Sequence, residues 1–394
     1  MSNRMILLGG SHALYRRARR CGFTTTVIQE KAKIQGDDLP LIDNLITLPP
    51  EHPDVVEIMS TLHQREPFDC VVSMNEVGLM PAALLQDQLH LRGNPLRPVL
   101  LTRDKYRMRE HLRRCGLRSI PYATVSGVDE VIAFAQTCGW PIILKPAMGS
   151  GSEHIYKIDT PDTIEQALQK IEQAFPGMPT LAEKYLIGKE VSVEAFSWEG
   201  KHQVIAVTDK FTTGAPYFVE IGHTMPSSLP AHTWQHIAAY TTDFLTSIGH
   251  QLGPSHTEMM VTADGPYIIE SHTRAGGDFI YELLEYVYGV DVYELTFQGL
   301  AGLQPHVEIS SPKAAMIRYL NLPIGEVKRI AGVEEASSIE GITRCQIEVQ
   351  PGQQIAPFKN SVERYGWILA RGETPEEASI RISHAFHKIK IEVA

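Results

Sequence analysis

Short apolar runs broken by glycine and proline dominate the chain, and no long helical period takes over. Met5-Ile-Leu-Leu8 runs into Gly9-Gly10, a helix-compatible arginine-rich stretch and then Thr24-Thr-Thr-Val-Ile28, which predicts strand, turn, helix and strand. Phe68-Asp-Cys-Val-Val-Ser73 adds another buried strand. Strands alternating with helices over the first hundred residues predict an open parallel sheet. The glycine fingerprint GxGxxG is missing after the first strand, so a dinucleotide site is not expected there.

Asn94-Pro-Leu-Arg-Pro98 reads as a linker, and the helix after it is expected to take Thr102 as N-cap with Arg103-Asp104-Lys105 in its first turn. From Tyr122 to Phe196 short strands surround a helix near Thr163 to Phe175, with Pro176-Gly177 as a break, as in a small α+β module. The last section, Ala314 to Ala394, shows short strands and a closing helix near Pro375 to His387. The units expected are residues 1–101, 102–193 and 194–394, in a multidomain protein of α/β and α+β class. No internal repeat or biased tract appears.

A chain of 394 residues is long enough for more than one packed core, and 43% hydrophobic with 21% charged residues is ordinary soluble usage. A formal charge of -10 leaves no basic footprint for nucleic acid or an anionic membrane, so small molecules are the expected partners. The five cysteines, Cys21, Cys70, Cys115, Cys138 and Cys345, are scattered and lack a CxxC pair, so they read as reduced structural thiols. No apolar run is long enough to span a bilayer, and Met5 to Leu8 is too short for a signal core; the expected location is cytoplasmic.

Three segments carry chemistry. Pro141-Ile-Ile-Leu-Lys145-Pro is an apolar strand ending in lysine, and Ala147-Met-Gly149-Ser150-Gly151-Ser152 follows as a loop whose backbone N–H groups suit phosphate. A plain turn with a snorkelling lysine explains this segment alone equally well. It is not the Walker loop. Glu183-Lys184-Tyr185-Leu186 leads into a strand whose period of two places Glu190, Ser192 and Glu194 on one face. That strand reads either as a support for a planar base and a ribose or as an exposed acidic edge.

The densest segment runs from His256-Thr-Glu258 through Asp264-Gly265 to Glu270-Ser-His272-Thr-Arg274-Ala-Gly276-Gly277-Asp278. A three-residue loop Ala263-Asp264-Gly265 would set Glu258 opposite Glu270 with His272 on the same face, whereas a two-residue turn would separate the carboxylates. Facing carboxylates call for a hard cation between them, Mg²⁺ or Mn²⁺. Arg274 and the N–H groups of Gly276-Gly277 then offer an anion site before a helix capped by Asp278. Lys105 opposes the macrodipole of its helix by a few tenths of a kcal/mol, a cost that a phosphate partner would offset.

Taken in order, Thr102-Arg-Asp-Lys105-Tyr-Arg-Met-Arg, Leu144-Lys145-Pro with its glycine loop, Glu183-Lys-Tyr-Leu186, Thr257-Glu258 and Glu270-x-His272-x-Arg274 resemble the ATP-grasp ligases. The resemblance implies an N-terminal Rossmann-like sheet, a central lid module and a C-terminal antiparallel-sheet domain with the metal site. It implies that Lys105, Lys145 and the loop Gly149 to Ser152 hold ATP phosphates, and that Glu183, Lys184, Tyr185 and Leu186 flank the adenine. Glu190 would take the ribose, with Glu258 and Glu270 binding Mg²⁺. The family usually has asparagine where His272 stands, which leaves His272 as a metal ligand or as a donor to a ligating carboxylate.

The closing region, with Val349-Gln-Pro-Gly352 and Arg364-Tyr-Gly-Trp, resembles the part shared by biotin carboxylases and bacilysin-type L-amino-acid ligases. Phe218-Val-Glu220-Ile-Gly-His223 resembles the latter, which implies substrate-binding roles for Glu220, His223 and Arg274. The function so implied is a carboxylate-amine ligase using ATP and an acyl phosphate held by Arg274, Gly276 and Gly277. The resemblance implies small carboxylate and amine substrates and is compatible with a homodimer. Bicarbonate or purine-pathway chemistry, or a nucleotide-binding regulator without turnover, are the alternatives.

Overall fold

The fold is given by a computed structural model that describes residues 3–149, 151, 153–310 and 313–394. Strands β1 (Asn3–Leu8), β2 (Phe23–Ile28), β3 (Asn44–Ile46) and β4 (Cys70–Ser73) form a parallel sheet in the order β3-β2-β1-β4. Helices α1 (His12–Arg20), α2 (Val55–Arg65) and α3 (Glu76–Leu89) connect and cover it. Met5 to Leu8 are wholly buried, as expected of a central parallel strand covered on both faces. A side chain on Gly78 would come within 2.4 Å of the Ser73 hydroxyl and 3.0 Å of the Leu8 carbonyl, so α3 packs hard onto the strand ends and presents Glu76 at the sheet's carboxyl edge.

The segment read as a linker is largely helical. Helix α4 (Leu96–Arg103) accommodates Pro98 in its first turn, where a missing N–H costs nothing. Thr102 does not cap the next helix: it lies at the end of α4, its hydroxyl donating to the Pro98 carbonyl at 2.9 Å. Asp104 breaks the run in an extended conformation and caps α5 (Lys105–Arg114) by accepting from the Arg107 N–H at 3.0 Å, the better cap because a carboxylate also complements the helix dipole. Lys105 therefore opens α5.

A second sheet, antiparallel and ordered β5-β8-β6-β7, comprises β5 (Tyr122–Val125), β6 (Ile142–Pro146), β7 (Tyr156–Ile158) and β8 (Thr180–Lys184). Helices α6 (Val128–Cys138) and α7 (Ile164–Ala174) bury Val131, Ala135, Ile164 and Ile171 against it.

The largest sheet holds β9 (Lys189–Trp198), β10 (Lys201–Thr212), β11 (Glu220–Met225), β12 (Leu252–Thr262), β13 (Gly265–His272) and β14 (Ala314–Tyr319). Beyond these, β15 (Gly325–Ala331), β16 (Ile342–Ile347), β17 (Gln354–Ile355), β18 (Gly366–Gly372) and β19 (Lys390–Val393) complete the chain's strands among the described residues. The order is β13-β12-β9-β10-β11-β14-β18-β16, all antiparallel, with β17-β15-β19 as a separate sheet.

Helix α8 (Ala231–Ile248) seals one face of the large sheet through Phe244, Leu245 and Ile248 against Val191, Val193 and Met259, joined by Met108 and Leu112 of α5. On the other side α9 (Ile280–Tyr288) packs Leu283 and Val287 against Phe196, Ile317 and Leu369, with α10 (Val292–Leu300) alongside. Helices α11 (Val333–Ser337) and α12 (Pro375–Lys388) cover the far strands. Because β9 lies between β12 and β10, its face bearing Glu190, Ser192 and Glu194 is interior, which excludes the exposed acidic edge. Among the described residues no helix is long and apolar enough to cross a membrane.

His250 follows α8 and is completely buried, with Nε2 3.3 Å from the Gly253 carbonyl. Burial, then the neighbouring His202, push its pKa from 6.5 down to about 4. The unfolded chain therefore takes up a proton that the native chain refuses, and stability should fall as pH drops from about 6.5 to 4. His250→Asn should flatten that window by roughly 3 kcal/mol in urea unfolding, and parallel pH profiles for parent and variant would rule the effect out.

Candidate active site

A cavity of about 280 Å³ lies between the second sheet and the large one. Its wall includes Lys105, Lys145, Gly149, Gly151, the run Glu183 to Leu186, Glu190, Glu220, His223, Glu258, Glu270, His272, Arg274 and Gly277. These residues come from segments far apart in the chain. Gly276 is not among the lining residues, and Ser150 and Ser152 lie outside the described residues.

At one end the strand β6 delivers Lys145, whose Nζ is 2.6 Å from Glu183 on β8. The other Glu183 oxygen accepts from Arg109 Nε of α5 at 2.7 Å, and Arg109 also donates to the Ile269 carbonyl at 2.7 Å. Arg109 is wholly buried and so ties α5 to both sheets. Burial pushes the Glu183 carboxyl up, but Arg109 and Lys145 outweigh it and hold it below its ordinary value. Burial also depresses Lys145, which Glu183 offsets in part. Lys105 completes this end, donating to the Gly149 carbonyl at 2.9 Å and to Glu270 at 3.1 Å. Tyr185 lies beneath the Lys157 ammonium at 5.2 Å.

The middle is acidic. The hairpin turn holds two residues, Ala263-Asp264, since Thr262 pairs with Gly265, so the three-residue loop is not formed. Glu258 nevertheless faces Glu270, because a bulge at Ile269 on β13 shifts the register between Met259 and Glu258. Lys210, projecting from β10, stands 2.9 Å from Glu190, 3.1 Å from Glu220 and 2.8 Å from Glu258. Burial opposes its charge, but the three carboxylates raise it well above the usual lysine range. His256 bridges Glu194 at 2.9 Å and Glu258 at 3.4 Å, and these partners overcome its burial to lift its pKa to about 9. Burial likewise opposes the charge of Glu258 and Glu270, yet Lys210 and His256 hold the first ionised and Lys105 and His272 the second.

His272 commits both ring nitrogens to carboxylates, Nδ1 to Glu76 at 2.9 Å and Nε2 to Glu270 at 3.2 Å. Two ionised carboxylates in register form an all-oxygen donor pair that fits a hard divalent cation.

At the far end Arg274 is held by Glu76 through Nε at 3.0 Å. Asp278 does not cap α9: Asp278 and Phe279 both adopt left-handed backbone with φ of 51° and 60°, and Phe279 holds the cap position without a side-chain bond. That turn swings the Asp278 carboxylate into the cavity, where Arg364 grips it at 2.8 and 2.6 Å and His223 meets it at 3.1 Å. Arg364 stacks on Tyr319 at 3.6 Å, and Ser361 donates to Glu220 at 2.6 Å. A side chain on Gly276 would lie 2.7 Å from His256 Nδ1, so glycine there lets the loop approach the hairpin.

Residues 138–282 match the ATP-grasp domain family, residues 15–93 the ATP-grasp N-terminal domain family, and residues 318–394 the family described as L-amino acid ligase C-terminal domain 2. The chain carries an ATP-grasp domain. It is 23% identical over 339 residues to the L-arginine-specific L-amino acid ligase of Bacillus subtilis, covering 83% of this chain and 79% of that protein. The crystal structure of the L-amino acid ligase from Bacillus licheniformis superposes with a TM-score of 0.84 at 21% identity, over 100% of this chain and 99% of that one. The biotin carboxylase domain of 2-oxoglutarate carboxylase from Hydrogenobacter thermophilus, solved with MgADP and bicarbonate, has a TM-score of 0.74 at 18% identity over 99% and 91% of the two chains. The ATP-grasp fold expected from the motifs is the fold observed.

The sequence motifs assign no role to Lys210, Arg109, Glu76 or Arg364. A lysine in the buried run Ile205 to Lys210 is the one clear signal, since an unpaired ammonium is not tolerated there. Lys210→Met should lower unfolding free energy by about 3–5 kcal/mol by leaving buried carboxylates unpaired. Calorimetry or urea unfolding within about 1 kcal/mol of the parent would show that the carboxylates do not depend on it.

Proposed function

We propose that this ATP-grasp ligase forms an amide or peptide bond, joining an amino acid or small carboxylic acid to an amino acid through an acyl phosphate. The observation that carries this reading is the order of charges along one cavity. Lysines stand at one end, two facing carboxylates in the middle, and Arg274 beside Gly277 at the other. The family match over residues 318–394 favours amide formation over bicarbonate chemistry.

In this reading Lys105, Lys145 and the loop from Gly149 to Ser152 take the ATP phosphates. Glu183, Lys184, Tyr185 and Leu186 form the adenine wall, and Glu190 accepts from the ribose. Glu258 and Glu270 hold Mg²⁺, which when bound neutralises phosphate charge. Lys105 and His272 then act by fixing Glu270, and the two hydrogen bonds of His272 suit a residue that orients a ligating carboxylate.

A substrate carboxylate oxygen attacks the terminal phosphorus and ADP leaves. Arg274 and the Gly277 N–H stabilise the acyl phosphate, in a place where directed donors are worth far more than in water. The amine nitrogen then attacks the acyl carbon, the carbon–oxygen bond to phosphate breaks, and phosphate leaves as the nitrogen sheds its proton; Glu220 and His223 bind substrate in this reading. The central module bearing the glycine loop serves as the lid that keeps water from the acyl phosphate.

ADP release across amino-acid pairs, with hydroxylamine added to trap an acyl phosphate, tests the reaction directly. A hydroxamate from one acid identifies the electrophile. Lys145→Ala and Glu270→Ala should each lower turnover by about 10² to 10³ while the fold survives. Turnover near that of the parent in either variant would overturn the site assignment.

A further inference from the structure

Glu76 stands outside the two sheets that build the cavity. It is the first residue of α3, at the carboxyl end of β4, where Asn75 caps the helix by accepting from the Gly78 N–H at 3.1 Å. The tight seat of α3 on β1 and β4 gives this carboxylate a fixed origin. Its Oε2 accepts from Arg274 Nε at 3.0 Å and from His272 Nδ1 at 2.9 Å, while Arg103 Nε lies 3.7 Å from Oε1. Arg274 also donates through Nη1 to the Ala275 carbonyl at 2.8 Å, which fixes the plane of its guanidinium from two sides. Arg274 lines the cavity and is otherwise a long side chain with several rotamers, so its direction depends on what holds it from behind.

We propose that Glu76 is a positioning residue: the N-terminal sheet uses it to aim the Arg274 guanidinium at the phosphate end of the acyl phosphate. The inference rests on the ligase reading of Arg274. It adds that the N-terminal unit sets the geometry of the reacting end without touching the substrate. A planar guanidinium held through Nε presents its remaining N–H groups in a fixed fork, the geometry that matches a phosphate. A simple tie between units would predict loss of stability and of every ligand together. Aiming of Arg274 predicts a loss that falls mainly on one ligand.

The test is calorimetric titration of Mg-ADP into the protein, followed by inorganic phosphate into the Mg-ADP complex, for parent, Glu76→Gln, Glu76→Ala, Arg274→Ala and the double variant Glu76→Ala with Arg274→Ala. Glu76→Ala should weaken phosphate about tenfold, while Mg-ADP, reached only at second hand through His272 and Glu270, weakens no more than about threefold, and Glu76→Gln should fall between. With Arg274→Ala already present, Glu76→Ala should change phosphate affinity no further. In turnover Glu76→Gln should lower kcat more than it raises the KM for the acid. Unchanged phosphate affinity, equal loss of Mg-ADP and phosphate, additive losses in the double variant, or no phosphate binding by the parent complex would each overturn the proposal. Hydroxamate formation by the parent tests the ligase reading separately, since these titrations require no turnover.

Discussion

Like charges brought together inside a protein must be paired or lost, and Lys210 answers that constraint for the middle of this molecule. Its ammonium meets carboxylates from β9, β11 and β12, three strands that would otherwise turn mutually repelling groups into one cavity. At these separations and in a partly desolvated site each attraction is several times its value in water. Three anions on one cation still leave an excess of negative charge. That excess, together with the ionised Glu270, suits the middle of the cavity to the proposed cation, as the lysines beside it suit the proposed phosphates.

Charge is therefore graded along the cavity, and each grade is fixed by a neighbour from a different part of the chain. Lys145 is steadied by Glu183, and Glu183 by Arg109; Glu270 is steadied by Lys105 and His272; Asp278 by Arg364 and His223. Few of these pairs would stabilise the fold much by themselves, because desolvation consumes most of what the pairing returns. Their worth lies in direction. Groups held from behind need no reorganisation when charge appears on a bound phosphate.

Much of the fold was legible because its signals are local. The apolar run Met5 to Leu8 with its glycines, the strand ending at Lys145 and the closing helix each declare themselves within a few residues. The candidate site was legible as far as motif order reached. What could not be read depends on register and on long-range partners. The turn Ala263-Asp264 is shorter than expected, and Glu258 still meets Glu270 only because β13 carries an extra residue at Ile269 that no local pattern marks. Thr102 and Asp104 are both acceptable caps by type, and the extended backbone of Asp104 decided between them. Asp278 looks like a cap for the same reason, but Arg364, 86 residues away, gives its carboxylate a stronger partner.

The Ile269 bulge lies between the Glu258–Glu270 pair and the end of the hairpin, and Arg109 clamps its carbonyl. Register at Glu270 is thereby set by an anchored irregularity, with the turn relieved of that duty. Ala263 and Asp264 are exposed, so the hairpin end is a place where evolution can lengthen, shorten or decorate the protein, or where a foreign peptide can be spliced, without disturbing the chemistry four residue pairs away.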